Sequence, residues 1–121
     1  MEDCKELDIL SVTTTVASLA EGERLARALV QRRLAACVQI EQGVTSFYRW
    51  QGQDCEEAEL RLTIKTLPEC GQALRVFFER EHPYDVPQFL ATCMRASETY
   101  AAWVRAEVSV PPLPLGEPDP V

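Results

Sequence analysis

The chain has 121 residues, of which 46% are hydrophobic and 26% charged. That length favours one domain with its own core, and the composition excludes a chain disordered throughout. The net charge of -7 repels phosphate backbones, which bind through Lys and Arg that displace counterions. Nucleic acid and anionic membrane are therefore not expected as partners, whereas metal cations and basic partners stay open.

The N-terminal residues Met1 to Asp8 hold no basic region followed by an apolar run, so no secretory signal is expected. No stretch reaches the roughly 18 apolar residues of a membrane helix. A cytoplasmic location is the expectation. The five cysteines, Cys4, Cys37, Cys55, Cys70 and Cys93, are widely spaced and form no C-x-x-C pair. In a cytosolic chain they are expected to be reduced and largely buried.

Residues 7–15 (LDILSVTTT) are rich in β-branched side chains and read as a strand. Ser18-Leu19-Ala20-Glu21 is a capping-box pattern opening a helix to about Arg33, with Leu25/Leu29 and Ala26/Val30 as an apolar stripe. Residues 34–40 begin a second strand, which Gly43 interrupts as a bend or bulge. Residues 45–50 (TSFYRW) resume it, and Gln51-Gly52-Gln53 marks a turn. Ala58, Leu60, Leu62 and Ile64 then alternate with Glu57, Glu59, Arg61, Thr63 and Lys65, giving a strand with one apolar and one charged face. With the preceding strand it makes a long hairpin arm.

Pro68 suits a helix first turn, and Cys70, Ala73, Leu74, Phe77 and Phe78 follow at helical spacing. His82-Pro83 ends that helix. Residues 86–94 read as a fourth strand. Ser97 or Ala96 opens a third helix with Tyr100, Trp103, Val104 and Val108 on one side. A domain of residues 1–110 and a Pro-rich tail of 111–121 follow. The fold class is α+β, a ferredoxin-like β-α-β-β-α-β sandwich with a C-terminal helix. Two helices would cover one sheet face. The charged face, which no helix of the chain covers, must meet solvent, a ligand or another subunit.

Little here resembles catalytic machinery. With one histidine, neither a three-histidine nor an H-E-x-x-H zinc centre is possible. No phosphate-cradling glycine motif occurs, and Cys37 lies in an apolar strand as a small hydrophobe. Asp54, Glu56, Glu57 and Glu59 read as a solvated strand face. Phe47, Tyr48 and Trp50 suit packing against a neighbouring element better than stacking on bases. His82 remains, either as a helix-end residue or as a metal ligand.

The residues Arg33-Leu34-Ala35-Ala36-Cys37-Val38, Ser46-Phe47-Tyr48-Arg49-Trp50-Gln51-Gly52, Glu59 with Lys65-Thr66, and His82-Pro83-Tyr84-Asp85-Val86-Pro87, followed by Tyr100 and Trp103, occur in order over about residues 7–108. In this the chain resembles the CutA family of divalent-cation tolerance proteins. The resemblance implies a ferredoxin-like subunit of a tight homotrimer, cytoplasmic in bacteria, that binds copper or another divalent cation in metal tolerance; that it is no enzyme is expected from the missing nucleophile–base pair, phosphate loop and full metal shell. Tyr48, Trp50, Glu59, Arg61 and Lys65 would then lie at the trimer interface or an inter-subunit cleft. His82 and Glu81 would be the metal ligands. Some members carry a cysteine proposed as a copper ligand where this chain has Thr14, and sometimes a second histidine where it has Glu81. The family's Pro-Glu after the H-P-Y motif is Pro87-Gln88. The alternative reading is a small-molecule sensor using inter-subunit clefts, as the architecturally similar PII signalling proteins do. An acylphosphatase shares the topology but needs an arginine in a loop where residues 16–22 have no cationic side chain.

Overall fold

Alternation along two strands decides how the sheet is covered. The computed structural model describes Cys4, Lys5 and residues 8–110; the tail expected from residue 111 lies outside them. The elements are β1 (Asp8–Val16), α1 (Leu19–Gln31), β2 (Cys37–Trp50), β3 (Gln53–Thr66), a 3-10 turn (Pro68–Cys70) leading into α2 (Gly71–Glu81), β4 (Leu90–Arg95) and α3 (Glu98–Glu107). The strands form one sheet in the order β2-β3-β1-β4, with every neighbouring pair antiparallel. Leu10, Val12 and Val16 of β1 and Leu60, Leu62 and Ile64 of β3 bury with Leu25 and Leu29 of α1 and Leu74, Phe77 and Phe78 of α2. This is the face that the apolar half of the alternation anticipates.

The other face is less open than expected. Ile9 points to it, opposite in sense to Leu10, and buries with Ala101, Val104 and Val108 from α3 and its C-terminal flank. One end of that face is thus covered by the chain's own third helix. The packing also corrects the apolar side of α3. Val104 and Val108 are buried, but Tyr100 and Trp103 are 36% and 44% exposed. Ala101, not either aromatic, fills the contact.

Local signals set most of the boundaries. Ser18 Oγ accepts from the Glu21 amide at 3.2 Å, as the cap pattern requires. The Glu21 carboxylate does not complete the box; it pairs with Arg24 at 2.8 Å. α1 stops at Gln31, two residues before the expected Arg33, because Arg33 adopts φ 58°. Its guanidinium donates to the Ala106 carbonyl and its own carbonyl accepts from the Ser109 amide, both at 2.8 Å. The end of α1 is thereby tied to the end of α3. The fourth strand starts at Leu90 instead of 86. Pro83 and Pro87 lack amide donors and restrict their predecessors, which keeps residues 82–89 out of the ladder.

The hairpin is a single pair of 14-residue strands. The expected interruption is a bulge between Glu41 and Val44, with Gly43 at φ 81°. At the tip Gln51 and Gly52 take φ 50° and 79°, the primed geometry that matches strand twist. β1 pairs with β3 only over residues 60–66 of the latter. Residues 53–58 of β3 therefore pair with β2 alone, and the hairpin projects past the helices as an arm.

One cysteine expectation is overturned. Cys4 and Cys93 form a disulfide, with 5.4 Å between Cα atoms. Cys93 stands opposite Leu10 in the β1–β4 ladder, and the bond holds Cys4 against β4. Cys37 and Cys55 are free and half-buried, and Cys70 is free and buried; burial pushes the Cys70 thiol above its ordinary range.

A Cβ at Gly43 would meet nothing within 4 Å, so its left-handed backbone alone sets the effect of substitution. Gly43→Ala is expected to cost about 1 kcal/mol, and Gly43→Asn less, in chemical denaturation. Equal stability of all three would mean that the bulge does not require this conformation.

Candidate functional site

The carboxylate expected on a solvated strand face is instead buried. Glu59 is 8% exposed, whereas Asp54, Glu56 and Glu57 are open to solvent. Its cover comes from the segment after α2. Tyr84 Oη donates to Glu59 Oε2 at 2.6 Å. Tyr84 is in turn fixed by His82, whose Nδ1 accepts the Tyr84 amide at 3.1 Å. Because Nδ1 accepts, the ring proton sits on Nε2, which donates to Thr14 Oγ1 at 2.9 Å. A continuous series of bonds thus runs from β1 through the end of α2 and the loop to β3.

Both rings in this series are held neutral. Burial lowers the His82 pKa, and the nearby Arg24 charge adds to the effect. Burial pushes the Tyr84 phenol well above its usual value, helped by its hydrogen bond to Glu59 and by that carboxylate's charge. Tyr84 therefore remains a donor at physiological pH.

Above Glu59 lies a cleft of about 650 Å³, with Ser46, Tyr48, Trp50, Tyr84 and Asp85 in its lining. The hairpin register explains one wall. Val44 stands opposite Glu59, Ser46 opposite Glu57, and Tyr48 opposite Cys55. Directly opposed residues share a face, and alternate positions repeat it, so Ser46, Tyr48 and Trp50 follow Glu59 along the arm. The facing wall is the loop, through Val86 and Gln88, and Thr15 closes the β1 end. Tyr48 and Trp50 are 44% and 42% exposed. Partial desolvation, with the neighbouring Cys55, Glu57 and Glu59 next in order, raises the Tyr48 phenol pKa.

The expected metal ligands do not share a centre. Both nitrogens of His82 are engaged in hydrogen bonds, and the residue is 9% exposed. The Glu81 carboxylate instead faces Arg24 at 3.1 Å and Arg32 at 3.6 Å. Thr14 is fully buried against the His82 ring. The position of the implied copper-binding cysteine therefore does lie beside the histidine, but a threonine hydroxyl makes an ordinary hydrogen bond there. Among the described residues no three His, Cys, Asp or Glu side chains are grouped so as to hold a metal ion. Of the expected interface residues, Tyr48, Trp50 and Glu59 gather in the cleft. Arg61 pairs with Glu41 at 3.0 Å, and Lys65 forms no ion pair among the described residues. Tyr84 and Asp85 join the cleft without having been expected there; the one signal for them in the sequence is their place in the His82-Pro83-Tyr84-Asp85 run.

Two measurements probe this geometry. Tyr84→Phe is expected to cost about 2 kcal/mol, the scale of a hydrogen bond to a charged group. In Glu59→Gln the same change should cost clearly less, and additive losses would show that the pair is not coupled. The second concerns pH. His82 stays neutral in the fold and titrates near 6.5 when unfolded, so the unfolded state binds more protons as pH falls through that value. Stability should decline below about pH 6.5, and His82→Gln should flatten that decline in urea titrations at stepped pH. An unchanged slope would contradict the buried neutral ring.

The family model of the CutA1 divalent ion tolerance protein matches residues 10–107. The divalent-cation tolerance protein CutA of Thermus thermophilus is 41% identical over 95 residues, covering 78% of this chain and 92% of its own length. The chloroplastic CutA of Arabidopsis thaliana is 34% identical over 105 residues, 86% of this chain and 58% of its own. The crystal structure of CutA1 from Oryza sativa aligns with a TM-score of 0.81 at 33% identity, over 85% of this chain and 95% of that one. The matched span contains the arm, Glu59 and the whole loop that covers it, and this chain belongs to the CutA1 family of divalent ion tolerance proteins.

Proposed function

We propose that this chain is a non-catalytic, ferredoxin-like subunit of a homotrimer, acting in divalent-cation tolerance by holding a positively charged ligand over Glu59. The supporting observation is the Glu59 carboxylate itself. It is 8% exposed, its one side-chain partner is the Tyr84 hydroxyl, and it has no ion pair among the described residues. A buried charge without a counter-charge is costly, and a bound cation removes that cost.

The trimer reading draws on apolar surface. Leu90 and Met94, opposite Thr13 and Ile9 in the ladder, lie on the sheet face away from α1 and α2. They are 58% and 45% exposed. Exposed apolar side chains clustered on one side mark an interaction surface, and a second and third copy would cover it. Non-catalysis is supported by the His82 contact: its Nε2 proton is donated to a threonine that is fully buried, so the ring is no free base there. Among the described residues no helix is long and apolar enough to cross a membrane.

A divalent cation is the ligand that the family name brings, and copper is the one that the sequence resemblance implies. In the cleft Glu59 and Asp85 would supply oxygen ligands, and a neighbouring copy the rest. A second reading, a small-molecule sensor, is favoured by size: about 650 Å³ falls in the range of small-molecule pockets, well beyond a bare ion.

Light scattering at micromolar concentration should give three times the chain mass, and a monomer would overturn the assembly. Calorimetry with cupric, zinc, manganous and tetramethylammonium ions should find at least one that binds and is lost in Glu59→Gln but kept in His82→Gln. Loss in His82→Gln alone would move the site to the helix end, and no binding by any of them would remove the cleft from the function.

A further inference from the structure

We infer that the cleft over Glu59 selects a small organic cation, a protonated amine or quaternary ammonium, in preference to a bare metal ion. This rests on the reading of the cleft as the ligand site and adds the chemical class.

Charge gives the sign. Glu59 and Asp85 lie in the lining and no Lys, Arg or His does. Glu59 Oε2 is bonded to Tyr84, and Oε1 has no hydrogen-bond partner among the described residues. One carboxylate oxygen is thus held in place while the other remains for an N–H or an ammonium methyl group. Glu59 as a residue is 8% exposed at the floor of the cleft, and reduced hydration strengthens the attraction of its charge for a cation.

The walls give the class. Tyr48, Trp50 and Tyr84 line the cleft, the first two from the strand face that carries Glu59. Aromatic faces attract ammonium and guanidinium groups through the ring quadrupole, and Trp is the strongest of them. The chain's own arginines that lie over rings do so elsewhere, Arg32 on Phe77 and Arg75 on Phe89. Among the described residues, then, no internal cation occupies the cleft aromatics. The faces of such rings offer a metal ion no donor atom, whereas they suit the soft, weakly hydrated surface of an organic cation. Size agrees, since about 650 Å³ accommodates several heavy atoms. Ligand count agrees as well. No three His, Cys, Asp or Glu side chains among the described residues are grouped to hold a metal, while an ammonium needs one carboxylate and aromatic walls.

The test uses the assembled full chain with choline, tetramethylammonium and putrescine as probes, and 3,3-dimethyl-1-butanol as the uncharged isostere of choline. Binding is read by tryptophan fluorescence and calorimetry. At least one cationic probe should bind saturably, with the neutral isostere at least tenfold weaker. Glu59→Gln, which keeps an acceptor for Tyr84, and Trp50→Leu should each weaken that probe at least tenfold. Both variants are checked for wild-type mass and circular dichroism. Loss of the tryptophan signal in Trp50→Leu is controlled by the calorimetric arm. If cupric or manganous ion binds through Glu59 while the organic cations do not, this inference falls and the cation-binding cleft stands. If neither class binds, both fall. A trimer structure in which a neighbouring copy's Lys or Arg already pairs with Glu59 would overturn the inference too.

Discussion

A carboxylate buried under a tyrosine hydroxyl organises the functional end of this molecule. The Glu59–Tyr84 bond at 2.6 Å is the last step of a series that starts at Thr14 and passes through His82. Each member holds the next. The histidine ring, fixed against β1, orients the amide of Tyr84, and the phenol then closes over β3. Burial keeps His82 and Tyr84 in their neutral forms, so the donor and acceptor roles in the series do not change across the physiological range. The loop after α2, which has no ladder hydrogen bonds of its own, is positioned by these side chains.

The same series explains the shape of the cleft. Strand β1 ends at Val16, opposite Leu60. Beyond that point the hairpin has no third strand beside it, and the sheet would leave Glu59 in water. The loop fills that place with Tyr84 and Asp85, and the arm carries Tyr48 and Trp50 out along the opposite wall. Aromatic side chains on a projecting two-stranded arm gain little from their own chain. An isolated hairpin is marginal in water, so the arm of 14-residue strands depends on its pairing with β1 at the base through residues 60–66.

The histidine shows how identity and role can separate. It is the one imidazole in the chain, and imidazole is the commonest metal ligand. Here both ring nitrogens are engaged, and the helix that ends at Glu81 turns its last carboxylate toward Arg24 and Arg32. The ring's work is positional: it sets Tyr84 and, through it, the burial of Glu59.

What the sequence determined by itself is the architecture. Alternation through Leu60, Leu62 and Ile64, helical spacing from Cys70 to Phe78, the Ser18 cap and the Gln51-Gly52 turn are local signals, each read within a few residues. They specified every element and its order, and the quoted motifs carried the family. Boundaries slipped where a longer-range contact intervened, as at Arg33, whose hydrogen bonds reach Ala106 and Ser109, and at residues 86–89, held out of the ladder beside two prolines. The site was legible only in part. The resemblance groups Tyr48, Trp50, Glu59, Arg61 and Lys65, of which the first three line the cleft, but Glu59 also reads as a solvated charge, because its periodicity is that of Glu57 and Arg61. Only tertiary structure could separate them. The side chain that buries Glu59 lies 25 residues away, and the one that fixes His82 lies 68 away. Burial depends on what the fold brings alongside, and a period along one strand holds no record of it.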